Sequence, residues 1–236
     1  MLALYRLFLR RQVTTGRLLL FGGFGLLGLA VGLAINRSAN AGDASEAGVG
    51  FVYGFGISLM VPVIALVLSS SSLGELIEDE TLVYLWHRPA PRWMLASAAW
   101  MASATIALPF TVLPLTASAA LASGGDQEVI WASLAATTLA GIGYSGLFVL
   151  LGLLFRKSLI WGLIYLVVWE LFVSKAGDGA ARLSINTYPS SVLSRLTGFE
   201  LPLADRAMAA GVIVPVVVAI AAVVVASWRL DRIDVA

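Results

Sequence analysis

The chain has 236 residues, of which 59% are apolar and only 12% charged, and its 15 Lys and Arg against 14 Asp and Glu leave a net charge of +1. A soluble domain carries about 25% charged residues, so this balance excludes an ordinary soluble fold, and the near-neutral charge excludes a global field for nucleic acid. The absence of cysteine excludes disulfides, thiolate metal sites and a cysteine nucleophile, and a single histidine, His87, argues against a bis-histidine haem or a histidine-rich metal centre.

A membrane span needs about 20 apolar residues, so the length accommodates six spans with short loops in one transmembrane domain over residues 1–236. The expected fold is all-α and polytopic. Residues 1–17 come first. Arg6, Arg10, Thr14 and Arg17 recur at helical spacing as a polar stripe, with Leu2, Tyr5, Leu9 and Val13 on another face. This predicts a basic amphipathic helix on the cytoplasmic membrane surface. The first span is predicted over Leu18–Ile35, where Gly28 and Gly32 have the small-xxx-small spacing that permits close helix packing. Ala39-Asn40-Ala41 has the form of a signal-peptide cleavage site, and the segment before it is expected to be retained as a span.

The second span is predicted over Val49–Leu68, with Pro62 inside and the run Ser69–Ser72 leading out of it. The third covers Trp93–Leu121, and its Pro109 and Pro114 predict a kink or break. Ser123–Asp126 reads as a turn and Val129–Phe155 as a long, tilted fourth span. Arg156-Lys157 is a short basic turn before the fifth span, Ser158–Ser174. The segment 175–206 is polar and irregular, with a short helix expected over Pro189–Leu196 against the outer surface, and Met208–Trp228 is the sixth span.

With the N-terminus inside, ten Lys and Arg face the cytoplasm and five face out, so the positive-inside rule places both termini in the cytoplasm. The same assignment puts Glu75–Arg92, ELIEDETLVYLWHRPAPR, on the cytoplasmic side. That insert holds four of the fourteen acidic residues, the histidine and two of the eight prolines, a composition that must face water or a protein partner. Glu75–Trp86 has helical character, Pro89 and Pro91 end it sharply, and Arg88 and Arg92 bracket the entry into the third span. Geometry alone leaves two readings open: a lever that passes a push to the span, or a solvated loop.

Catalytic patterns are missing. The stretch nearest to a phosphate-binding loop, Gly152–Ser158, has Arg156 where a glycine is required and joins two spans, and neither HExxH nor GxSxG occurs. Glu78, Asp79 and Glu80 are consecutive, so on a helix they point in different directions and read as a solvated or partner-facing surface rather than a metal site. No cofactor is expected. Glu170 is the only acid inside a span. It lies thirteen residues past Lys157, about 20 Å up the helix at roughly 1.5 Å per residue. It reads either as a polar group in a transport path or as an interfacial carboxylate beside Trp169 and near Lys175, and its depth favours the second.

The insert resembles the first cytoplasmic loop of type-2 ABC transporter permeases of the small six-span exporter kind. That family often shows E-x-E-x-G-T-L, a few apolar residues, then S-R-P-x-x-R; here Glu78, Thr81, Leu82, Arg88, Pro89 and Arg92 fall in register. Three positions depart: Leu76 for the first acid, although Glu75 adjoins it, Glu80 for the glycine, and His87 for the serine. The resemblance implies a permease without a nucleotide site, paired with a second permease chain as a homodimer or heterodimer, each chain docked on a separate ABC ATP-binding subunit. It implies that Glu75–Leu85, with Glu75, Glu78, Asp79, Glu80, Thr81 and Leu82, is a coupling helix docked on the ATPase, and that Pro89–Arg92 transmits its motion. It further implies pairing through the first and fifth spans, and residence in a bacterial cytoplasmic membrane with export of an amphiphilic or hydrophobic cargo. The competing expectation is a non-transporting scaffold or assembly subunit that uses the insert only for docking. A secondary transporter or intramembrane enzyme is disfavoured by the lack of midplane acids.

Overall fold

A computed structural model of the chain describes residues 1–38, 40–74 and 91–232. It is 86% helical, with no strand among the described residues. The elements are α1 (Leu2–Gln12), α2 (Thr15–Ser38), and α3, which begins as Ala41–Phe51 and runs to Gly74. Then follow α4 (Arg92–Ala122), α5 (Gln127–Leu154), and α6, which begins as Ser158–Ile164 and runs to Lys175. The short α7 (Asp178–Ala181) and α8 (Thr187–Thr197) precede α9 (Met208–Asp231). Six helices, α2 to α6 and α9, are long and apolar enough to cross a membrane.

Burial separates core from periphery. The apolar window of α5 is 61% buried and that of α3 56%, against 22% for both α2 and α9. Alanine, glycine and serine make the central contact possible, because small side chains let backbones approach where lipid supplies no hydrophobic drive between helices. A Cβ on Gly146 of α5 would stand 2.5 Å from the Ala219 Cα of α9. The expected close contact of the first span is present too. A Cβ on Gly32 would stand 2.5 Å from the Ser118 carbonyl oxygen of α4, and Ser118 Oγ donates to the Gly28 carbonyl at 2.8 Å.

Four elements differ from expectation. First, α3 does not stop at Leu68; it continues through Ser69–Gly74, all buried. The serines stay helical because each hydroxyl finds a nearby carbonyl: Ser71 Oγ donates to Leu68 at 2.8 Å and Ser72 Oγ to Ser69 at 2.6 Å. Second, α4 runs unbroken through Pro109 and Pro114, so of the expected kink or break there is no break. In hydrocarbon every backbone group that leaves the helix is costly, so the helix absorbs the prolines rather than opening. Third, α1 packs on α4 with Leu4, Phe8 and Gln12 buried, whereas Leu2 and Val13 are exposed. The packed stripe is therefore one face round from Leu2, Tyr5, Leu9 and Val13, because it includes a glutamine. Gln12 Nε2 donates to Ser103 Oγ at 3.1 Å, which makes a polar residue acceptable in the interface. Fourth, α8 covers the expected Pro189–Leu196 but does not lie on a surface: Pro189–Leu193 is buried against α5 and α9.

Three stretches within the spans have widened, π-type turns: Val52–Met60 and Ser70–Gly74 in α3, and Tyr165–Phe172 in α6. Turns of this kind are rare and concentrate at functional sites.

Candidate functional site

Val52–Met60 and Tyr165–Phe172 aim polar side chains at the same target, the segment between α6 and α9. In an α-helix residues five apart do not share a face; a π-turn brings them into register. This lets Tyr165 reach Glu170 five residues on, its hydroxyl donating to Glu170 Oε1 at 2.9 Å. The backbone N–H of Ile185 donates to the same oxygen at 3.1 Å, and Ser184 Oγ donates to Oε2. All three partners donate, which suits a carboxylate that only accepts. Glu170 is 1% exposed, so this carboxylate does not sit among lipid headgroups beside Trp169 as the interfacial reading had it. It is enclosed because the segment after α7 folds over it. Ser174 Oγ donates to the Glu170 carbonyl at 2.6 Å and fixes the next turn.

The second stretch makes the matching contact. Ser58 Oγ donates to the Tyr53 carbonyl five residues back at 2.9 Å and accepts from Asn186 Nδ2 at 2.8 Å. Ser190 Oγ lies 2.9 Å from Asn186 Oδ1, which orients the amide. Tyr53 OH reaches the Pro202 carbonyl at 3.4 Å. Residues 184–186 are thus clamped between α3 and α6 by polar bonds to both. A cavity of about 10 Å³, the room for about one water, lies between Tyr53, Glu170, Lys175, Asn186 and Ser190. Lys175 is exposed and lines it without an ion pair to the carboxylate.

The rest of the segment is tied back on itself. Gly198 ends α8 in the left-handed region at φ 72°. Arg195 Nε donates to the Arg206 carbonyl at 2.6 Å, and the Arg206 N–H donates to Ser191 Oγ at 3.1 Å. Chemically the arrangement is a clasp. Its one carboxylate is occupied by three donors, the Tyr165 and Ser184 hydroxyls and the Ile185 N–H.

Glu75, Glu78, Asp79, Glu80, Thr81, Leu82, Arg88 and Pro89 lie outside the described residues. Arg92 is described: it is half-buried and opens α4, directly after Pro91, whose ψ of 139° is extended. The bases on which the insert stands are well defined. Gly74 packs against Ser158 and Gly152, so the end of α3 meets the α5–α6 turn. Ser69 Oγ donates to the Ser145 carbonyl at 3.1 Å, Trp100 Nε1 donates to Ser145 Oγ at 3.1 Å, and α1 packs against both α4 and Ser70–Gly74.

Ser58, Ser184 and Asn186 were not singled out by sequence reasoning. The signal for them was indirect: an acid inside a span demands donors, and Ser184-Ile185-Asn186-Thr187 is a polar run that begins 14 residues on. Comparison of the chain with protein-family models, curated proteins and solved structures finds no match.

Proposed function

We propose that the chain is the membrane-spanning permease subunit of an ATP-driven ABC exporter, moving an amphiphilic or hydrophobic substrate and powered by a separate ATP-binding subunit docked on Glu75–Arg92. The observation that carries this reading is the mounting of that insert. It leaves from a buried, close-packed helix end at Gly74 and returns directly into α4, a 31-residue helix that touches α1, α2, α3, α5 and α9. Force applied to a charged insert so mounted reaches most of the bundle, whereas a loop used only for docking needs no such base.

The energetics of the membrane part agree. Glu170 is the one acid buried among the described spans, and its three donors leave it ill placed to exchange an ion with solvent. Energy from outside the chain fits better than proton or sodium coupling. On this reading the termini and the insert are cytoplasmic, in a bacterial inner membrane, and the clasp at Glu170 closes the outer end of the transport path until the lever moves. The exposed apolar side chains of α2 (Leu19, Leu26, Leu27) and α6 (Ile160, Val168, Phe172) are suited to lipid or a second permease chain.

Purification of the chain from its native membrane in mild detergent tests the reading. Recovery of a stoichiometric soluble protein with ABC ATPase motifs is the expected result, together with uncoupling of ATP hydrolysis from transport by the Glu78→Ala/Arg88→Ala pair. Recovery without any ATPase sinks the exporter reading and returns the scaffold alternative.

A further inference from the structure

A furrow of about 450 Å³ runs along the outside of the bundle between α2 and α4. One wall is Phe21, Gly22 and Leu29 of α2; the other includes Pro109, Leu113 and Ala117 of α4. It exists because α2 presents Gly22 and Gly25 where α4 carries Pro109 and Pro114: one helix lacks side chains and the other has compact rings. A Cβ on Gly25 would be 3.2 Å from Pro114 Cβ, yet a Cβ on Gly22 would meet nothing within 4 Å. The helices therefore touch at the floor of the furrow and part above it. Every lining side chain is apolar, and the volume lies within the roughly 300–1,000 Å³ of clefts that hold ligands.

The position names the occupant. Arg17 stands one turn before Phe21 on the same face of α2, and Arg37 stands twenty residues after Arg17, about 30 Å along the helix, the thickness of a hydrocarbon core. Phe21–Leu29 thus spans about 6 to 18 Å above Arg17, the depth of the acyl chains in the leaflet on that side. Arg17 and its neighbours Arg6, Arg10 and Arg11 make that surface basic. A guanidinium presents its donors in a planar fork that suits a phosphate.

We propose that the α2–α4 furrow is a fixed binding site for an anionic phospholipid, with one acyl chain lying between Gly22 and Ala117 and the phosphate held at Arg17. The site is independent of the exporter reading. It requires only that α2 crosses the bilayer.

The test uses the full chain reconstituted with equal phosphatidylglycerol and phosphatidylcholine, then released from detergent for native mass spectrometry. The wild type is expected to retain one phosphatidylglycerol. Gly22→Leu and Ala117→Leu fill the furrow from opposite walls and are expected to cut that occupancy at least ten-fold with unchanged thermal unfolding. Arg17→Gln is expected to keep a lipid but to lose the preference for phosphatidylglycerol. Retention of the lipid by both filling variants overturns the proposal. So does a lipid-free dimer whose crosslinks, from Leu113→Cys in this cysteine-free chain, show the furrow filled by a second copy.

Discussion

The two ends of the bundle are held by different physics. Where α8 caps the bundle, a few directional bonds decide the geometry: three donors on Glu170, and the Asn186–Ser58 pair across to α3. Where the insert is mounted, small residues do much of the holding: Gly74 against Ser158 and Gly152, and Gly162 against Leu66. Contact of the second kind is spread over many atoms and changes gradually. A clasp of the first kind is all or none, because losing one acceptor strands several buried donors at once. The difference teaches which end gives way abruptly and which yields by degrees.

The largest expected effect breaks the clasp. Glu170→Ala leaves Tyr165, Ser184 and the Ile185 N–H without their acceptor, at about 1–3 kcal/mol for each stranded buried group. We expect a loss of at least about 3 kcal/mol and new proteolytic cleavage within 176–206, with Glu170→Gln recovering part of it. Wild-type unfolding and cleavage in both variants would show that the cap is held by packing instead. An intermediate effect tests the packed end. Gly74→Val pushes into Ser158 and toward the Gly152 backbone and should cost about 1–3 kcal/mol by overpacking, leaving proteolysis of the cap unchanged. Cleavage of the cap in this variant would mean that the two ends are not separable. The smallest effect sharpens the picture of the clasp itself. Tyr144 is fully buried beside it, with a hydroxyl that has no hydrogen-bond partner. Tyr144→Phe should therefore change stability by no more than about 0.5 kcal/mol, or raise it. A loss above about 1 kcal/mol would make that hydroxyl a fourth donor to Glu170.

The six spans were legible because hydrocarbon imposes length and apolarity on any helix that crosses it, and α5 and α9 begin and end within a few residues of expectation. The short helix at Pro189 was legible as well, its burial was not: Ser190 and Ser191 donate to carbonyls one turn back, which lets polar residues be buried. The stripe of α1 was misread because hydrophobicity chose its face, and a glutamine with a serine partner lay on the true one. Glu170 was visible as an anomaly, but its partners come from residues 165, 184 and 185, which only the wide turn and the folded-back segment bring together. Departures from α-periodicity are not readable from a pattern that assumes it.

Those wide turns have a mechanical consequence. In Val52–Met60 and Tyr165–Phe172 each backbone bond skips one residue more than in an α-helix. Passing that extra residue along the helix exchanges bonds without losing any, and each step turns only the residue it passes by about 100°, leaving the parts on either side in register. The helix that ends at Gly74 and the helix that carries Glu170 can thus each re-aim single side chains, Ser58 or Glu170 among them, without unfolding and without moving their ends.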